Sequence, residues 1–115
     1  MDRKELKNKY KATTPAMGIY QIRNTTNGRI FLGNSVNLHG IINRTRFQLK
    51  NGLHQNEQMQ RDFLDVGEAN FAFEILDTLE PKEDAKGDCA EELDMLEDLW
   101  LERLRAAVEK GYNRG

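Results

Sequence analysis

The sequence predicts a single α+β domain: a three-stranded, mainly antiparallel sheet flanked by helices, preceded by a charged N-terminal helix or arm. Three observations carry that expectation. Asn27-Gly28 separates two short β-forming runs, and Asn-Gly is a strong hairpin signal because both residues tolerate the turn conformation. Apolar residues then recur at helical spacing from Leu38 to Leu49. A third β-forming run, Asn70 to Leu79, precedes a long acidic segment with apolar residues near helical spacing.

Taken in order, Asp2 to Lys11 reads as a short charged helix or a frayed arm, and Thr13-Thr14-Pro15 ends it, because the residue before a proline avoids the helical region. Gly18 to Arg23 is the first strand, Asn24 to Gly28 the turn, and Arg29 to Gly33 the returning strand. Asn37 is a good N-cap. Leu38, Ile41, Ile42, Thr45 and Leu49 form the core-facing stripe of the helix behind it, and Asn51-Gly52 stops that helix. A second helix is expected from about Gln55 to Asp65, with Met59 and Phe63 on one side and Gly67 as its stop. Residues 80–88 are a polar loop. One long acidic helix is expected from about Cys89 to Val108, with Leu93, Leu96, Trp100 and Leu104 near helical spacing. The chain of 115 residues is read as one domain over 1–115, with 1–16 the arm and 17–113 the folded unit.

Composition is that of a globular protein, 38% hydrophobic and 31% charged. No apolar run approaches the roughly 18 residues of a membrane helix, so no membrane partner is expected. The charged N-terminus lacks the apolar core of a signal peptide. The single cysteine, Cys89, excludes an internal disulfide and fits a reducing compartment, so the cytoplasm is the expected location. The net charge of −2 hides an asymmetry: residues 1–61 carry 11 Lys/Arg and 3 Asp/Glu, whereas residues 62–115 carry 6 and 16. A basic half beside an acidic half suits a phosphate-facing surface next to a carboxylate-rich side, and equally suits two solvated faces that happen to differ.

Gly18-Ile19-Tyr20, a short hairpin, and Phe31-Leu32-Gly33 together resemble the name-giving motif of the GIY-YIG nucleases, with Phe31 where that family usually has tyrosine. Three later landmarks agree: His54 after the first long helix, Glu97 three residues before Trp100 on the last helix, and Asn113 in Gly111-Tyr112-Asn113. The resemblance covers roughly Met17 to Asn113.

It implies a metal-dependent endonuclease that hydrolyses phosphodiester bonds in DNA. Tyr20 would orient or deprotonate the attacking water, Glu97 would hold one Mg²⁺ or Mn²⁺ with phosphate oxygens and waters completing the shell, and His54 and Asn113 would complete the site. A free tyrosine has a pKa of about 10, so a base role needs a positive neighbour. The family's helix arginine, which also grips the scissile phosphate, falls on Ile41 when counted from Gly33 without gaps. Arg44, about 60° round the helix and one turn on, is the candidate substitute. Without it, activity would be weakened by on the order of 10²–10³.

The second reading is a nucleic-acid-binding module of the same fold that has lost catalysis. It would hold phosphates through Lys11, Arg44, Arg46 and Lys50. A third reading, a protein-interaction domain or homodimer using the acidic helix, is left open by the sequence. Glu97 lies among Glu91, Glu92, Asp94, Asp98 and Glu102, a pattern that also describes a solvated acidic face.

Overall fold

The computed structural model describes residues 16–80 and 90–112. The expected N-terminal arm with Lys11, the polar loop beyond Glu80, Cys89 and Asn113 lie outside the described residues. Strand β1 (Met17–Asn24) pairs antiparallel with β2 (Ile30–Ser35), in a register that sets Tyr20 against Gly33 and Ile22 against Phe31. The connection is shaped by side chains. Asn24 Oδ1 accepts from the Thr26 amide at 3.0 Å, Asn27 Oδ1 accepts from the Arg29 amide at 2.9 Å, and Gly28 takes a φ of +77°.

Strand β3 (Phe71–Leu79) pairs antiparallel with the other edge of β1, giving the order β2-β1-β3. Ile19 lies opposite Asp77 and Tyr20 opposite Ile75, so Leu76 is the extra residue of a bulge beside Tyr20. The sheet is three-stranded and antiparallel throughout, as the sequence predicts.

Helix α1 (Leu38–Lys50) is capped by Asn37, whose Oδ1 accepts from the Gly40 amide at 3.0 Å. Its stripe buries Leu38, Ile42, Thr45 and Leu49, while Ile41 is only partly covered. Helix α2 (Glu57–Val66) starts two residues later than expected because Asn56, not an earlier residue, supplies the cap, its Oδ1 accepting from the Met59 amide at 3.0 Å. Gly67, at a φ of +87°, ends it, and a short 3₁₀ turn (Glu68–Asn70) leads into β3. Helices α1 and α2 cover the sheet face that carries Tyr20 and Ile22. Their core also contains Leu38, Ile42, Leu49, Met59, Phe63, Phe71 and Tyr112.

The opposite face meets α3 (Ala90–Arg103), which packs on β1 and β2 and buries Leu93. One expectation is corrected here. The last helix is not continuous to Val108: it breaks at Leu104 (φ −104°, ψ 22°) and resumes as α4 (Arg105–Glu109). The break turns the chain back across the sheet, where the Tyr112 amide donates to the Ile30 carbonyl at 2.8 Å and the Tyr112 ring enters the core, 1% exposed. A straight helix would carry that ring into solvent. Burying an aromatic side chain, worth about 1.5–3 kcal/mol, outweighs two or three lost helical hydrogen bonds at about 1 kcal/mol or less each. Among the described residues no helix is long and apolar enough to cross a membrane.

Candidate active site

Tyr20 projects from the central strand over Gly33 of the edge strand. A β-carbon at position 33 would lie 2.8 Å from the Tyr20 hydroxyl oxygen and 2.9 Å from Cζ, closer than packed atoms approach. The glycine of the second triplet is therefore needed because the tyrosine of the first lies flat across it. The Phe31 ring packs beside it, 6.4 Å from the Tyr20 ring and 6.2 Å from His54, which it meets edge to face.

These rings form one wall of an open cleft of about 590 Å³. Helix α1 lines it with Ile41 and Arg44, and the loop after it with His54. Tyr20, Arg44 and His54, far apart in sequence, thus share one concavity. Ile41 lines it as well, one helical turn from Arg44. Arg44 is exposed and makes no ion pair or hydrogen bond within the described residues, so its guanidinium is available to an anion.

Glu97 does not line the cleft. It approaches from α3, on the other side of the sheet, at the edge strand. Asn34, the residue after Gly33, donates through Nδ2 to Glu97 Oε1 and to Asp94 Oδ1, each at 3.2 Å. The cleft and the acidic helix thus meet at the Gly33-Asn34 segment of β2. Electrostatics registers the same proximity. Burial raises the Tyr20 phenol above its usual pKa of about 10, and the negative charge of Glu97 raises it further. Glu97 is itself raised, first by burial and then by Asp94 and Asp98, with the Asn34 hydrogen bond opposing. Burial lowers His54, so its imidazole is neutral near pH 7.

Two solved structures of the catalytic domain of the homing endonuclease I-TevI are similar to this chain. One has a TM-score of 0.67 and 26% sequence identity, and the match covers 84% of this chain and 95% of that one. The other, a point mutant of that domain, has a TM-score of 0.69 and 25% identity over 87% of this chain and 94% of that one. I-TevI is a GIY-YIG homing endonuclease. The chain has the GIY-YIG nuclease fold. No protein-family model matches it, and no curated protein sequence matches it.

Within this GIY-YIG fold Arg46 and Lys50, the other basic candidates among the described residues, are engaged elsewhere. Lys50 Nζ lies 3.1 Å and Arg46 Nε 3.6 Å from the Glu68 carboxylate, and the Arg46 guanidinium sits 4.6 Å over the Phe73 ring. Arg44 is the cation of α1 left to the cleft.

Several residues at the site carry no motif signal. Asn34 is one; it follows a motif glycine but is chosen by what lies across from it on α3. Tyr112 is another. Its hydroxyl donates to Asp62 at 2.7 Å and accepts from Asn24 Nδ2 at 3.1 Å, its pKa is pushed up to about 12, chiefly by burial, and it lines the cleft. Asn56 and Gln60 complete the group, as backbone-anchoring amides beside His54. A resident divalent ion is implied by the fold. Among the described residues no group of three or more His, Cys, Asp or Glu is clustered to hold one. The Asp94 and Glu97 carboxylates tied by Asn34 are hard oxygen donors of the right chemistry, and they fit an ion that takes its remaining ligands from water and substrate.

Proposed function

We propose that this domain is an endonuclease that hydrolyses phosphodiester bonds in DNA. The observation that carries this reading is the convergence of Tyr20, Arg44 and His54 on one cleft, with Tyr20 lying over Gly33 and Glu97 bonded to the next residue, Asn34. Arg44 would grip the scissile phosphate, which accounts for a guanidinium without a partner among the described residues in the cleft that Tyr20 lines. Tyr20 would orient the attacking water. Because its phenol is raised, it acts as a hydroxyl at neutral pH and becomes a proton acceptor only as positive charge gathers around it. Asp94 and Glu97 would hold Mg²⁺ or Mn²⁺, an ion that supplies Lewis-acid stabilisation of the developing phosphoryl charge. His54 would contact the substrate from the loop side of the cleft, and Asn113 would join the site from beyond the described residues. The likeness to an endonuclease catalytic domain supports a nuclease-like function. The expected setting is cytoplasmic.

A second reading has its own observation. Ile41 puts an apolar side chain in the cleft where the family's arginine is expected, which suits a domain that binds nucleic acid through Arg44 without cutting it. A plasmid-nicking assay with Mg²⁺ or Mn²⁺ separates the two. Nicking by the wild type that Arg44→Ala lowers on the order of 10²-fold supports the endonuclease. An inert wild type that gains nicking on Ile41→Arg assigns the lapsed module instead.

A further inference from the structure

We infer that Asn56 and Gln60 are positioning residues that fix His54 in the tautomer with its proton on Nε2, so that His54 serves the cleft as a hydrogen-bond donor and not as a proton acceptor. The use of that donor in cleavage rests on the endonuclease reading; the tautomer does not.

The Asn56 backbone amide donates to His54 Nδ1 at 3.0 Å. A nitrogen that accepts from a peptide N–H carries no proton, so in the neutral ring the proton is on Nε2. Burial favours that neutral ring, and protonating Nδ1 would set two donors against each other. Nε2 has no partner within the described residues, and His54 lines the cleft. The group it can offer a ligand there is an N–H, suited to a phosphate oxygen.

The hold on the ring is built from both sides. Gln60, only 9% exposed, accepts from the His54 amide through Oε1 at 3.0 Å and donates through Nε2 to the Leu49 carbonyl at 2.8 Å, so the His54 backbone is tied to the end of α1. Asn56 is fixed in turn. Its Oδ1 caps α2 at the Met59 amide, and its Nδ2 donates to the Tyr112 carbonyl. The N–H that sets the tautomer is therefore anchored to α2 and to the segment that closes the fold. The Phe31 edge-to-face contact limits ring rotation from the third side.

Long-range ¹H–¹⁵N correlation of the histidine side chains in the whole chain at pH 7 reads the tautomer directly. The expected spectrum has His54 with a proton on Nε2 alone, and a proton on Nδ1 overturns the inference. In Asn56→Gly, which weakens both anchors while leaving a peptide N–H, a Nδ1–H population appears; an unchanged tautomer there removes Asn56 from the account. Gln60→Leu is expected to act likewise, and His54→Gln covers the case in which that variant does not fold. Glutamine places an amide donor near the Nε2 position. Plasmid nicking in Mg²⁺ therefore stays within about tenfold of wild type in His54→Gln and falls on the order of 10²-fold in His54→Ala. Equal loss in both contradicts the donor role. A wild type that fails to nick overturns the endonuclease reading, and the spectrum still decides the tautomer.

Discussion

At the scale of single residues, the first interaction to examine is the pair Tyr20 and Gly33. The two triplets resemble a family motif, but the physical content of the glycine lies in the ring laid across it. Gly33→Ala forces a β-carbon to within 3 Å of that ring, so either Tyr20 or β2 must move. We expect a loss of about 1–3 kcal/mol in urea unfolding, typical of overpacking, together with displacement of the Tyr20 hydroxyl from the cleft. His54 gives the clearest pH signature. Burial holds its folded pKa below the ordinary value of 6.5, so the unfolded chain binds the proton more readily. The stability contributed is full above 6.5 and is lost as pH falls through the folded value. As pH falls below 6.5 the wild type should therefore lose unfolding free energy relative to His54→Gln; a difference independent of pH would contradict the burial argument.

Residue by residue, part of this site was legible. Tyr20, His54 and Glu97 stand out through family spacing, and Arg44 through counting turns from Ile41. Asn34, Asn56, Gln60 and Tyr112 were not legible, for a common reason. Each is chosen by a partner well removed in the chain: Asn34 by Asp94 and Glu97, Asn56 by the Tyr112 carbonyl, Gln60 by the Leu49 carbonyl, and Tyr112 by Asn24 and Asp62. Short-range patterns do not encode such pairings.

At the scale of elements, local signals predicted most boundaries because caps and turns act over three or four residues. Asn37 and Asn56 both cap helices, and each accepts a backbone amide at 3.0 Å. Asn37 does only this work on α1, so Asn37→Ala should cost about 0.5–2 kcal/mol in thermal or urea unfolding and leave the cleft intact. The expected continuous last helix failed for the opposite reason. Leu104 has ordinary helix propensity, and no local signal marks the break. It is imposed by the docking of Tyr112 on Ile30, a tertiary demand that outweighs helix continuity.

At the scale of the whole molecule, the sheet separates two chemistries. One face carries the cleft, with Tyr20, Arg44 and His54. The other carries the acidic helix, and the two meet only round the edge strand at Gly33-Asn34. The charge asymmetry between the halves of the chain is thereby folded into adjacency, with the Arg44 guanidinium on α1 and carboxylates on α3. Tyr112 closes the arrangement by joining β1 to α2 through Asn24 and Asp62. Tyr112→Phe keeps the ring but leaves the buried Asn24 amide without its acceptor, and should lower stability by about 1–3 kcal/mol with the fold retained.

The central claim is that Tyr20 and Glu97, from opposite faces of the sheet, serve one bond-breaking step. Single-turnover cleavage of a DNA duplex in Mn²⁺, measured for the wild type, Tyr20→Phe, Glu97→Ala and the double variant, tests it most directly. Groups acting in one step give strongly non-additive losses, so the double variant should be little slower than the worse single one. Cleavage by both single variants at the wild-type rate, or no cleavage by the wild type, would contradict the claim.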